Sequence, residues 1–217
     1  LESLEDEPED LELNIVHEDD QILVIDKVAG MVVHPGAGNR SGTMLNALLH
    51  HAPDLEHLPR AGIVHRLDKE TSGLLVIART SKARLHLIHQ LKMREMGRIY
   101  HALVYGQVTL PGTVDAPIGR HPQQRTRMAI RQEAREAVTH YRPVTVFPEH
   151  TLLQLQLETG RTHQIRVHMQ HKGYPLIGDP LYGGTFRKPR QGSDVLAEMI
   201  KAFPRQALRS EEHTSEL

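Results

Sequence analysis

The 217-residue chain contains no cysteine and no tryptophan, and only three phenylalanines and five tyrosines. The lack of cysteine excludes a disulfide framework, a thiolate zinc site and a cysteine nucleophile. No apolar run is long enough to cross a bilayer, and the N-terminus is acidic where a secretory signal would be basic. The sequence therefore predicts a soluble cytoplasmic protein, long enough to bury its own core without a metal staple. Sixteen histidines raise the question of a metal site, but they are scattered and HExxH is absent, so no metal is expected.

Charge of one sign is also missing locally. Residues 1–20 hold ten Asp and Glu and no Lys or Arg. The formal net charge of −1 (26 basic and 27 acidic residues) thus hides a body with 26 basic against 17 acidic residues, a balance of +9. Between Arg79 and Arg135 there are eleven Lys and Arg against Glu95, Asp115 and Glu133. Such a body suits phosphate contacts, although a solvated charged face gives the same composition. Residues 1–12, acidic and poor in apolar side chains, read as a disordered linker.

The most informative stretch is residues 65–73, His-Arg-Leu-Asp-Lys-Glu-Thr-Ser-Gly, a polar segment between the apolar runs 62–64 and 74–78 that read as strands. Arg66 and Lys69 would favour ionised Asp68, and an ionised carboxylate can act as nucleophile, general base or cation partner. Residue types alone leave open a solvated turn with a surface ion pair. Strands are expected around the acidic turn of residues 15–27, at 98–106, where Tyr100 shares a face with Ala102 and Val104, at 112–119, 126–130, 137–147 and 152–158. In the last, Leu153, Leu155 and Leu157 alternate with Gln154, Gln156 and Glu158, the pattern of an antiparallel sheet with one dry face. Helices are expected at 43–51, at 82–96 with a Leu87, Ile88 and Leu91 stripe and a stop at Gly97, and at 162–171 before Gly173. Residues 120–125 form a basic loop suited to an RNA backbone. The glycines at 36, 38 and 42 lack the Lys-Ser/Thr of a phosphate loop.

The nonamer resembles HRLDxxTSG, the signature of RluA-type pseudouridine synthases of ribosomal and transfer RNA. Three more stretches match that family in order: residues 30–36, similar to KPxGxxVHPG although Val28 and Ala29 stand where proline is common; residues 98–106, similar to (K/R)xYxALVxG; and residues 158–168, similar to TGRxHQIRxH. A GDxxYG turn follows at 178–183, read as structural. The resemblance covers residues 11–208. It implies an α+β pseudouridine synthase fold, a largely antiparallel mixed sheet with flanking helices and a central active-site cleft, and a catalytic domain over residues 13–208. It implies a cofactor-free isomerase acting on RNA, most plainly 23S ribosomal RNA, and a monomer; transfer RNA is the alternative substrate within the family. Asp68 becomes the catalytic aspartate, Tyr100 the ring that stacks on uracil and moves a proton, and Arg166 the arginine that holds the aspartate. Arg66 enters the space the base vacates, and His65, Thr71, Arg161, His163 and Gln164 join it in substrate binding.

Two rivals remain. A glycosidase needs two carboxylates across a sugar, and Glu70 stands only two residues from Asp68. A non-catalytic RNA-binding module accounts for the basic body but not for the matched Asp68, Tyr100 and Arg166; a catalytic domain impaired by C-terminal truncation would behave as one. In the family an S4-type RNA-binding module precedes residues like these, and no such module is in this chain. Residues 209–217 resemble nothing in the family and read as translated sequencing adapter, a non-native tail on a truncated gene model.

Overall fold

The computed structural model describes residues 7–36, 38–190 and 193–214. The described residues form an α+β structure of mostly antiparallel strands with four α-helices. Two compact units divide it, residues 1–97 with 212–217, and residues 98–211.

In the first unit, β1 (Ile15–Glu18) and β2 (Ile22–Lys27) flank the expected acidic turn. Asp19 organises that turn by accepting from the backbone N–H of Gln21 and Ile22 at 2.7 and 2.8 Å. Helix α1 (Met44–His51) starts at Thr43, whose N–H donates to Asn46 Oδ1 at 3.0 Å in a reciprocal cap. Strand β3 (Ser72–Ala78) pairs with β2 along its length, giving the order β1-β2-β3. Helix α2 (Ser81–Met93) is capped by Thr80 and buries Ala83 and Leu87 against Ile22, Val76, Ala78 and Met96.

Three local expectations fail here. Residues 62–64 are not a strand: a 3-10 turn, Pro59–Gly62, precedes a single bridge from Ile63 to Ile77. Arg60, Ala61 and Gly62 all have positive φ, and a Cβ at Gly62 would collide with the Ala78 carbonyl oxygen. Helix α2 stops at Met93 because Arg94 turns left-handed (φ 64°), and its stripe is Ala83, Leu87 and Gln90, with Ile88 and Leu91 half-buried. Residues 7–12 have no helix or strand, yet they are tied down. Glu9 N–H donates to the Asn46 carbonyl, Asn46 Nδ2 donates to the Glu7 carbonyl at 2.8 Å, and Glu9 Oε1 accepts from Gly42 N at 2.9 Å. Composition reports solubility and cannot foresee such bonds. The rest of the acidic stretch, residues 1–6, lies outside the described residues.

The second unit begins on β4 (Gly97–Tyr105), followed by β5 (Gly112–Asp115), β6 (Ile118–Arg120), β7 (Met128–Ile130), β8 (Val138–Val146) and β9 (His150–Leu157). Strands β4, β9, β8 and β5 pair antiparallel in that order. Strands β6 and β7 form a separate ribbon, so the stretch expected as one strand over 112–119 is broken at Ala116-Pro117. The leucine alternation in β9 holds: Leu153, Leu155 and Leu157 are buried. Helix α3 (Gln164–His171) packs on β7 and β8, with Val167 joining Ile118, Ala137 and Tyr182 in one cluster. Helix α4 (Asp194–Ala202) places Ile200 against Tyr105 and Ile177, and β10 (Leu208–Thr214) lies beside β4. Residues 209–214, expected as part of a non-native tail, thus continue a strand that begins at Leu208; 215–217 lie outside the described residues.

Candidate active site

In the first unit, His65, Arg66, Asp68 and Thr71 share the loop that leads into β3. Leu67 is buried beneath it, Arg66 and Lys69 are exposed, and Asp68 is half-buried. Backbone holds the loop. Thr71 N–H donates to the Asp68 carbonyl at 3.0 Å, and Gly30 N–H donates to the Lys69 carbonyl at 2.9 Å. His65 Nε2 accepts from Val76 N–H at 3.1 Å, so its Nδ1 carries the proton when the ring is neutral. Thr71, 2% exposed, is enclosed by the loop.

The residue beneath this arrangement is Lys27, at the end of β2. It is 1% exposed, and its Nζ donates to the carbonyls of Val28, Met31 and Lys69, each at 2.9 Å. One ammonium therefore ties the 28–31 turn to the Asp68 loop. Parity along β2 was the available signal, since Lys27 falls on the same face as buried Leu23 and Ile25.

In the second unit, Arg161, His163, Gln164 and Arg166 come together on α3 and the turn before it. Arg166, 4% exposed, forms a fork on Asp179: Nε donates to Oδ2 at 2.7 Å and Nη2 to Oδ1 at 2.9 Å. Asp179 Oδ1 also accepts from the N–H of Leu181 and Tyr182 at 2.9 and 3.0 Å. Burial works to raise the Asp179 pKa, but the arginine fork and the two N–H donors outweigh it and hold the carboxyl below its ordinary value. The Arg166 guanidinium lies 5.0 Å from the Tyr182 ring centroid. The GDxxYG turn is thus structural as expected, and it also carries the arginine's partner, a pairing that turn chemistry in the sequence could not reveal.

Tyr182 extends the arrangement. Its hydroxyl accepts from Met128 N–H on β7 at 2.8 Å and meets His163 Nδ1 at 2.8 Å. His163 itself is left-handed (φ 56°) at the start of α3. Arg161 Nε donates to the Glu136 carbonyl at 2.8 Å. Tyr100 is buried on β4, on the face of Ala102 and Val104 as its alternation requires.

Gln164, expected among the substrate-binding residues, is spent inside the protein. Its Oε1 accepts from Thr159 Oγ1 (2.8 Å) and Arg161 N–H (2.9 Å), and its Nε2 donates to the Val138 carbonyl (2.9 Å) and Thr139 Oγ1 (3.0 Å). All four hydrogen-bonding positions of the amide are filled, which leaves none for a nucleotide. Beyond it, His168 Nε2 meets the Ala116 carbonyl, which only accepts, so Nε2 carries the proton and Nδ1 accepts from Thr139 Oγ1 at 2.9 Å. Burial lowers the His168 pKa, in keeping with a neutral ring. This directed chain anchors α3 to β8.

Burial also draws down the pKa of Arg98, whose Nη2 donates to the Glu158 carbonyl at 2.9 Å beside the Gly160 turn. Among the described residues no group of three or more His, Cys, Asp or Glu is placed to hold a metal, and no helix is long and apolar enough to cross a membrane.

A family model described as RNA pseudouridylate synthase matches residues 21–171. The chain belongs to that family. It is 57% identical over 202 residues to ribosomal large subunit pseudouridine synthase D of Pseudomonas aeruginosa, covering 93% of this chain and 63% of that protein. The same-named protein of Escherichia coli K12 is 53% identical over 204 residues, with 94% and 63% covered. The chain therefore spans less than two thirds of these relatives. Among solved structures, human RNA pseudouridylate synthase domain containing 4 superposes with a TM-score of 0.69 at 26% identity, covering 91% of this chain and 82% of that one. Domain containing 1 gives 0.68 at 24%, covering 92% and 76%, a likeness of fold alone. The family match includes Asp68, Tyr100 and Arg166, and stops short of Asp179.

Proposed function

We propose that this pseudouridine synthase family member isomerises uridine to pseudouridine in RNA, with large-subunit ribosomal RNA, 23S in bacteria, as its substrate and the cytoplasm as its place of action. The observation that carries this reading is the 57% identity to a protein named for that substrate, extending over 93% of the chain. Residues 13–208 are the catalytic domain in this reading, and they act as a monomer.

Pseudouridine formation breaks the C1′–N1 bond, turns the uracil and rejoins it through C5, with no net redox change. Asp68 supplies the carboxylate, attacking C1′ or C6 or assisting loss of a sugar proton. Tyr100 stacks on the uracil and moves a proton, and Arg166 is the arginine that the family resemblance assigns to the catalytic aspartate. Arg66 fills the space left by the extruded nucleotide, whose unstacking costs a few kcal/mol; its exposed position suits that role. His65, Thr71, Arg161 and His163 serve substrate binding in this reading, Thr71 from within its loop, and Gln164 braces α3.

The test is tritium release from C5-labelled uridine in ribosomal RNA. Wild-type chain should release label and Asp68→Asn should not; an Asp68→Asn chain that releases label at the wild-type rate defeats the assignment.

A further inference from the structure

We infer that residues 184–190 form a docking site for single-stranded RNA, with Phe186 stacking on a base and Arg187, Lys188 and Arg190 meeting its phosphates. The inference rests on the RNA substrate proposed above and adds a surface outside the Asp68 loop and α3.

Phenylalanine is ordinarily a core residue. Here all three are exposed: Phe147 by 44%, Phe186 by 40% and Phe203 by 37%. Phe186 opens the sequence Phe-Arg-Lys-Pro-Arg, and residues 180–193 contain three cations and no Asp or Glu. An exposed ring among cations is the pairing that base stacking and phosphate contact require together. The segment is irregular but not loose at its anchor points. Pro189 is buried, and Arg190 N–H donates to Glu149 Oε1 at 2.6 Å. The Arg187 guanidinium sits 5.6 Å from the Tyr105 ring centroid, and that ring lies 5.5 Å from His150. Anchoring reduces the ordering cost when a ligand arrives.

Acidic groups nearby do not close the surface. Lys188 meets Asp194 at 3.1 Å, but both side chains are mostly exposed, and such a pair is weak enough to be exchanged for a phosphate. Helix α4 follows with Val195 and Met199 exposed, a face that would suit a protein partner. Phe186 among three cations, with Glu149 engaged by the Arg190 backbone N–H and Asp194 in an exchangeable surface pair, favours RNA, and the protein alternative becomes an outcome of the test.

The experiment is fluorescence anisotropy of a labelled single-stranded RNA, measured against KCl concentration with the Asp68→Asn chain so that turnover plays no part. Three phosphate contacts on a single strand contribute a salt slope of about 2. Combined Arg187→Ala, Lys188→Ala and Arg190→Ala should weaken binding and reduce the slope by that amount. Phe186→Ala should weaken binding about 5- to 150-fold with the slope unchanged, and Phe186→Trp should restore it. Both variants should melt at the temperature of their parent. Parental affinity and slope in the two variants would overturn the inference. So would failure of the parent to bind RNA at low salt, or a change of oligomeric state in place of RNA affinity. Absence of tritium release by the wild type would count against the isomerase alone, because binding is scored separately.

Discussion

Two aspartates sit in turns of this protein and are held in opposite ways. Asp179 has its carboxylate filled by Arg166 and two backbone N–H groups, and its side chain is wholly buried. Asp68 is half-buried, and the loop around it is fixed through main-chain carbonyls, by the Thr71 and Gly30 N–H groups and by Lys27. A carboxylate accepts about four hydrogen bonds, so Asp179 has no capacity left for substrate. A loop clamped through its backbone keeps its path whichever side chains it carries, so those side chains can be selected for function. The same division separates Gln164, saturated inside, from exposed Arg66.

That contrast can be broken first at the two aspartates. Asp68→Asn should lower isomerisation on the order of 10³-fold or more with little change in a urea unfolding curve, the mark of a group that acts in the reaction. Asp179→Ala should do the reverse of a clean functional change. It leaves the buried Arg166 charge without its fork and should cost about 3–5 kcal/mol in urea unfolding, a large share of a domain's stability. A stable Asp179→Ala protein would erase the distinction between the two aspartates. Acid titration sharpens it. The folded pKa of Asp179 lies below its unfolded value near 3.8. Its contribution is therefore complete above that value and is lost as pH falls through the lower folded pKa. Asp179→Asn should flatten the loss of stability below about pH 4.

Lys27→Met comes next, replacing a buried ammonium by a similar volume while three carbonyls lose a donor. We expect a cost of about 2–3 kcal/mol and a fall in activity, because the Asp68 loop loses its tie to residues 28–31. Unchanged protease resistance and activity would show that Gly30 and Thr71 suffice. A smaller effect belongs to His168, whose folded pKa lies below the unfolded value near 6.5. The unfolded chain takes up the proton first, so stability falls as pH drops below about 6.5, by at most ~1.4 kcal/mol per pH unit. His168→Asn should be less stable at neutral pH yet show a shallower decline between pH 7 and 5. The smallest effect on stability is expected for Arg66→Ala, within about 0.5 kcal/mol, with greater loss of turnover on folded RNA than on an unstructured strand.

Much of the architecture is legible in the sequence. Period-two alternation located β4 and β9, and helical spacing of apolar residues located α1 and α2. The failures have local causes. Residues 62–64 have strand composition, but positive φ at Arg60, Ala61 and Gly62 carries them into a turn. Glycine chemistry places the end of α2 at Gly97, whereas Arg94 accepts the left-handed conformation at some cost. Gln164 read as a ligand contact by resemblance, and only its four bonds reveal a brace.

The sequence alone determined the family, the position of Asp68 between apolar runs, and the parity of Tyr100 on its strand, because motif spacing and alternation are properties of neighbours along the chain. That Arg166 is forked by Asp179, thirteen residues away, that Lys27 joins two turns, and that Thr139, Gln164 and His168 form one directed chain emerges only in the folded chain. Those are choices of hydrogen-bond partner among residues remote in sequence, and a partner is fixed only when packing excludes water from the alternatives.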